Sequence, residues 1–598
     1  MKAIYKIIIL VSVALLAFAC TDGFEDYNTN PNRTTEVAPE SLFMNAPLNT
    51  MMVFGSDNNF WIFGNYSGQI SMTGGQYPTY GSDGRGDDMW NKLYLNCINP
   101  LVKIEQLKGD DPTFKNRVAI ARIWKSYIFS EMVAMWGPIQ YFEACKGNEH
   151  APYDSEDAIY SDLLNQLKTS ADALVTGGDN YDSKNEPVFK SDVERWRKFA
   201  HCLRLRIACR LLDYETDSIR TKAEAILNEE LNNPATLISN NKENFYMNFN
   251  GNSNAYKNPY FVYIEANPTA EGTFPVIHEQ LMMYLVGYND PRLEKFCKTA
   301  DFIKAKWSYL GRPSTTRTPE WDKQITDNPH NNVNQDYYSY LQDEFRLGDA
   351  KWTIISYPEI ACIRAEAAYR KVWTGATEAD STYYYRSIDA FADRYAGTSI
   401  PATELETYKH HWGIKWYNEN DAPYDFRLDT TAIKSNELNA DGTRTIVRKS
   451  KYTSLYTDYL GVSNCVLSDL PADNPLTVNG IKYNINTDAN YKRIVLQHWL
   501  ALFFQGIDSW TLLRRTQQLR FTPLWFPAGD KYTVYNNEWA YLPQRLPYPG
   551  AEMERNASES KKAINMIGDK SNSIQAKLKF AKPAIAFPAF PNTASPLQ

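Results

Sequence analysis

Seven histidines are the first residues to weigh for catalysis or metal binding: His150, His201, His278, His330, His410, His411 and His498. His278-Glu279 opens like a zinc-protease motif, but Met282 stands where its second histidine would be. His410 and His411 are adjacent, so their rings point different ways in most backbones and make a poor metal pair. No G-x-S-x-G elbow and no phosphate-cradling glycine loop is present. A glycosidase needs two carboxylates at a set separation. Pairs such as Asp87-Asp88 arise by chance among 70 acids, and Glu359 and Glu366 read as polar positions of a helix. Asp83, Asp87 and Asp88 in a glycine-rich stretch have oxygen ligands suited to Ca²⁺, but not the spacing of the twelve-residue calcium loop, so an exposed turn is the reading. No cofactor and no metal is expected.

Aromatic residues offer a different chemistry. The chain has 40 Tyr, 27 Phe and 15 Trp, 14% of its residues. An aromatic face stacks on the C–H face of a sugar ring, and neighbouring Asn, Asp, Gln or Arg bond its hydroxyls. Rings beside such residues in loops are therefore the ligand-contact candidates. Tyr77 and Tyr80 stand with Gln76, Asp83 and Arg85; Trp307 and Tyr309 stand near Arg312; Trp321 stands beside Asp322 and Gln324. Trp61 and Trp90 flank the first of these loops and are expected to pack its bordering helices. Arg514-Arg515 resembles an anion clamp, yet its place at the end of a Trp-rich helix favours bonding to carbonyls or acids at a helix terminus.

Cys20 carries chemistry of another kind. Lys2 and Lys6 precede an apolar run from Ile7 to Phe18, which is a positive n-region and a short h-region. A spanning helix needs about 20 apolar residues, so the run is too short to anchor the chain. Leu16-Ala17-Phe18-Ala19-Cys20 resembles a bacterial lipobox, in which the thiol is acylated after cleavage. Acyl chains then anchor the protein, at about 0.8 kcal/mol per buried methylene. Residues 1–19 are read as a signal peptide, 20–35 as a lipidated tether and 36–598 as a single domain. The net charge of −7 argues against nucleic acid. Of the other seven cysteines, Cys202, Cys209 and Cys362 sit in apolar helical stretches and read as buried free thiols.

The elements that must position these residues are mainly helical. Ile159, Leu163, Leu167, Ala171 and Leu174 share one face. Val118–Met135 is a second helix, stopped by Trp136-Gly137-Pro138; Trp196 to Leu211 marks a third. Pro358 opens a fourth, running from Glu359 to Trp373 with Gly375 as its stop; Ile388 to Tyr395 lies in a fifth, and Val495–Leu513 is a sixth. Paired helices with Trp, Tyr, Ala and Leu at packing positions resemble tetratricopeptide units, and four pairs would make a curved scaffold. Between them lie loop-rich stretches, among them Gly74 to Asp88, Asn240 to Pro259, Trp307 to Tyr340 and Asp421 to Asn490. Loops of that length in a compact protein are usually functional.

An ordered set of motifs adds a resemblance. Phe24-Glu25-Asp26-Tyr27-Asn28-Thr29-Asn30-Pro31-Asn32 follows the cysteine. Then come Arg122-Ile123-Trp124-Lys125, Trp136-Gly137-Pro138-Ile139, Glu143-Ala144 and Asp290-Pro291-Arg292. Glu359, Arg364-Ala365-Glu366-Ala367, Gln497-His498-Trp499, Trp510, Arg514-Arg515, Pro543-Gln544-Arg545-Leu546 and Tyr548-Pro549 complete the set. In this order it resembles the SusD/RagB family of outer-membrane lipoproteins, in the branch that begins with an N-T-N-P-N segment. The resemblance implies tetratricopeptide-like helix pairs carrying a loop-rich ligand-binding face. It implies capture of an oligosaccharide or oligopeptide on the outer, exterior-facing surface, delivery to a TonB-dependent SusC-like barrel, and no enzymatic activity. It transfers no binding aromatic residue by residue. A surface glycoside hydrolase, or a transporter lid with no ligand site of its own, are the alternatives.

Overall fold

The structure is a computed structural model. It describes residues 37–55, 59–72, 85–251, 256–266, 275–299, 309, 311, 338–394, 400–411, 413–418, 477–478, 481–482, 489–519 and 542–583. Helices dominate. In chain order the longer ones are α1 Pro39–Phe54, α2 Arg85–Lys92, α3 Asn99–Lys108, α4 Lys115–Trp136, α5 Glu156–Ala173, α6 Val193–Arg210 and α7 Asp217–Leu231. There follow α8 Glu279–Gly287, α9 Tyr357–Tyr369, α10 Asp380–Asp393, α11 Ala402–Lys409, α12 Ala489–Ala501, α13 Gly506–Thr516 and α14 Ala557–Met566. α4 packs on α5, α6 on α7, α9 on α10 and α12 on α13, four helix pairs, the last of them standing where a single helix was expected. α5 against α6, and α9 against α12, join pair to pair.

Capping explains where several of these start and stop. Ser155 Oγ accepts the Ala158 amide at 3.3 Å, and Asp192 Oδ1 accepts the Arg195 amide at 3.1 Å, so α5 and α6 begin where side chains satisfy orphan donors. α4 stops at Gly137, whose φ of 85° and ψ of −128° suit only glycine. A Cβ there would also lie 2.6 Å from Leu578 Cδ2.

Three expectations need correction. α9 ends at Tyr369, four residues before Trp373, because Lys371 turns left-handed (φ 59°). The Val372 amide then bonds the Ala367 carbonyl and the Lys371 amide the Ala368 carbonyl, a Schellman close without glycine. The stretch expected as one helix over Val495–Leu513 is two, α12 and α13, broken where Phe504 takes φ 70°. Burial of the Phe504 ring against Phe60, Phe345 and Trp352 holds that conformation. Finally, residues 85–88 are not loop but the first turn of α2, where Asp87 and Asp88 complement the helix dipole.

Strands are few and short: β1 Ile70–Met72, β2 Phe245–Met247, β3 Pro275–Ile277, β4 Trp352–Ile355, β5 Thr477–Val478 and β6 Ile481–Lys482. They form antiparallel pairs β1–β3, β2–β4 and β5–β6. One hydrophobic core runs from Phe43 to Ala581 and encloses Trp124, Trp136, Trp196, Trp499 and Trp510. Cys97, Cys145, Cys202, Cys209, Cys297 and Cys362 are free thiols, and Cys145 alone of these is not fully buried. Among the described residues no helix is long and apolar enough to cross a membrane.

Candidate ligand-binding face and the network beneath it

The two aromatic loops singled out in the sequence leave the scaffold at one place. β1 pairs with β3 so that Ile70 faces Ile277 and Met72 faces Pro275. Tyr340 bridges Val276, and Leu341 bridges Cys297. The Ile277 amide donates to the Ser339 carbonyl and the Lys298 amide to the Tyr340 carbonyl, both at 2.8 Å. Residues 73–84, with Tyr77 and Tyr80, therefore start at the β1 end of this small ladder. Residues 300–337, with Trp307, Tyr309 and Trp321, start beside it at residue 299 and return to it at 338. β1 is buried along its length, and Pro275 occupies the first position of its strand, where a missing amide is tolerated. α12 braces the ladder from behind: Gln69 Nε2 donates to the Trp499 carbonyl at 2.6 Å, and Trp499 Nε1 donates to the Ser67 carbonyl at 2.8 Å.

Of the predicted site residues, Tyr309 falls within the described chain. It is 7% exposed and belongs to the core. Burial, and then the nearby Cys297 and Glu294, push its hydroxyl above the usual tyrosine range. Tyr77, Tyr80, Trp307, Trp321 and Cys20 lie outside the described residues. Trp90, expected to pack, is 3% exposed and meets Trp136 edge-on at 5.1 Å, with Tyr94, Tyr153 and Tyr548 around it. Trp61 lies on the segment Asn59–Gly64. Asp88 pairs with Lys92 at 2.7 Å, and Asp87 accepts the Ala551 amide at 3.4 Å. Among the described residues no three acids, histidines or cysteines are grouped to hold a metal ion.

A ring the sequence did not single out stands at the stem. Tyr340 is half-buried, with Lys298 Nζ 5.5 Å and the Arg346 guanidinium 5.7 Å from its ring centre. Arg346 is itself held by Glu265 at 2.9 Å and Asp343 at 3.0 Å. The available signal was the run of tyrosines at 337, 338 and 340, six residues before Arg346.

Beneath the face, the motif residues form buried polar joints. Arg514 stacks on Trp510 at 3.4 Å and donates to the carbonyls of Ala134 and Gln544, both at 2.8 Å. Arg545 donates to the Trp136 carbonyl at 3.2 Å and Tyr548 to the Pro138 carbonyl at 2.7 Å. Two motifs far apart in sequence thus satisfy the orphan carbonyls at the C-terminus of α4. Arg292 forks onto Asp290 (2.8 and 2.6 Å), which the Schellman close of α8 at Asn289 presents. Arg515 forks onto Glu366 (2.5 and 2.6 Å), where Tyr491 also donates at 2.9 Å. Burial alone would raise the Glu366 carboxyl; Arg515, with Arg370 behind it, outweighs burial and lowers it to about 2. Burial lowers the His498 imidazole to about 3, so that ring is neutral. These carboxylates and this histidine are committed to the scaffold.

The comparisons agree with that architecture. Residues 31–461 match a family described as starch-binding and associating with the outer membrane, and residues 433–579 match the SusD and RagB outer-membrane lipoproteins. A SusD homologue from Bacteroides uniformis superposes with a TM-score of 0.66 at 18% identity, covering 92% of this chain and 100% of that one. One from Bacteroides ovatus gives 0.63 at 18%, covering 91% and 98%. A chitin-binding protein gives 0.62 at 19%, covering 91% and 100%. No curated protein matches the chain. With residues 31–461 of 598 matched, the chain belongs to the SusD-like family of starch-binding proteins that associate with the outer membrane.

Proposed function

We propose that this chain is a cell-surface lipoprotein that captures an oligosaccharide and passes it to a TonB-dependent SusC-like barrel, breaking no bond. The observation that carries the reading is the common stem: both aromatic loops spring from the β1–β3 ladder and its bridges to Tyr340 and Leu341. Rings from two loops on one stem can contact the same ligand, while α12 keeps the stem rigid. Tyr77, Tyr80, Trp307 and Trp321 are the proposed stacking rings. Tyr309, buried as it is in the core, is not among them. Residues 1–19 are removed, Cys20 is lipidated, residues 20–35 tether the chain, and residues 36–598 form one domain facing the exterior. Cys20→Ala is expected to abolish labelling by a palmitate analogue and release the protein from membranes; a variant that stays attached contradicts the anchor.

The binding claim is tested with maltooligosaccharides, chitooligosaccharides and mixed oligopeptides. One saccharide class is expected to bind and be recovered intact. Alanine at any one of the four rings is expected to weaken it about tenfold, or about 1.4 kcal/mol. Cleaved saccharide would favour a hydrolase. Unchanged uptake with all four rings replaced would favour a lid without a ligand site, and binding of peptides alone would reassign the cargo.

A further inference from the structure

Five charged side chains meet between α4, α6, α9 and α13. Arg206 forks onto Glu359 (2.6 Å on each side) and reaches Asp508 at 2.9 Å. Arg210 reaches Glu131 Oε1 at 3.1 Å, Asp508 at 3.2 Å and the Ser130 carbonyl at 2.6 Å. The count is two guanidiniums against three carboxylates, 2 − 3 = −1. Further out, Arg514 of α13 is spent on the Ala134 and Gln544 carbonyls and bonds none of the three carboxylates, and burial keeps Glu156 of α5 uncharged below about pH 8. Tyr127 of α4 and Tyr160 of α5 also face the cluster, and burial keeps both hydroxyls neutral. Asp508 keeps 12% of its side chain in solvent, whereas Glu131 and Glu359 are each 1% exposed.

The three carboxylates are not equally supported. Glu359 has both oxygens on Arg206, and Asp508 has one oxygen on each arginine. Glu131 Oε1 takes Arg210 and, at 3.3 Å, the Ser130 hydroxyl; Glu131 Oε2 is buried with no hydrogen-bond partner among the described residues. A buried negative charge left over after pairing is costly, and a carboxyl in that position neutralises by taking a proton.

We propose that this junction is a proton-binding site, that the folded chain holds one proton on Glu131, and that losing it loosens α4 from α6 and α13. The electrostatics agree: burial, and then Asp508, raise the Glu131 carboxyl from 4.5 to about 7 against the pull of Arg210. The folded value lies above the unfolded one, so the folded chain keeps the proton between about 4.5 and 7 while the unfolded chain has released it. Its contribution is full below that window and is lost as pH rises through it, up to tenfold in the folding constant per pH unit. The site is joined to the loop stem through the chain, because α12, which bonds Ser67 and Gln69, turns at Phe504 directly into α13, which carries Asp508.

The test is urea unfolding of the full chain and of Glu131→Gln, whose amide keeps the shape without the charge, between pH 5 and pH 8. The ratio of folding constants, variant over wild type, is expected to rise across that range by about tenfold or more. Asp508→Asn provides the second arm, since it removes the excess charge from the other side of the cluster. It is expected to cut the wild-type pH dependence by the same amount with Glu131 in place. A pH-independent offset for Glu131→Gln, or an undiminished slope in Asp508→Asn, overturns the proposal.

Discussion

Glu366 shows how a buried charge is kept by its partners. Its folded value near 2 lies below the ordinary 4.5, so its contribution is present above pH 4.5 and is lost as pH falls towards 2. Glu366→Ala takes the forked partner of Arg515 and leaves it Asp213 at 3.5 Å, and is expected to cost about 3 kcal/mol at pH 7, read by urea unfolding. The deficit should shrink between pH 4.5 and pH 2, where the wild-type pair is itself protonated. Glu156 has the opposite sign. Burial raises it to about 8 despite the Lys579 amide and charge. Its folded value is above the unfolded one, so stability is lost as pH rises from about 4.5 to 8, and Glu156→Gln should remove that loss. At about 1.4 kcal/mol per pK unit, the variant gains a few kcal/mol relative to wild type between pH 5 and pH 9. The polar character of Glu359 and Glu366 was legible in the sequence. Their partners were not, because Arg206 and Arg515 lie 153 and 149 residues away and only the folded helices bring them near.

At the scale of elements, periodicity was a good guide wherever a helix kept one apolar face. α4, α5 and α6 lie where their spacing and stop signals place them. It failed where a tertiary contact overrode a local rule: Phe504 breaks a continuous apolar run because its ring is worth more in the core than in register. The three-residue strands of the stem were illegible for another reason, since β1 and β3 are buried on both sides and too short to show alternation. Gly137 is the sharpest local requirement. Gly137→Ala is expected to cost on the order of 2–4 kcal/mol, from a strained φ and a clash with Leu578, seen as a lower urea midpoint. A neutral result would mean that the turn after α4 and the C-terminal segment behind it adjust freely.

At the scale of the molecule, the helix pairs, the buried arginine joints and the loop stem divide the work. The SusD-like family is carbohydrate-binding and non-catalytic, and this chain is not an enzyme. The joints make one rigid body from helices that are distant in sequence, and the stem gathers the loops on that body. Composition already favoured rings over nucleophiles as the working chemistry, but the convergence of two loops on one ladder was not readable, because it rests on pairings between residues such as Met72 and Pro275. The most direct test is calorimetric titration of the wild-type chain and of the variant with Tyr77, Tyr80, Trp307 and Trp321 all replaced by Ala, using maltooligosaccharides and chitooligosaccharides. The account predicts that wild type binds one of the two classes and returns it uncleaved, and that the variant, with an unchanged melting temperature, loses that binding. Equal affinity in the two proteins, or hydrolysis of the saccharide, would contradict it.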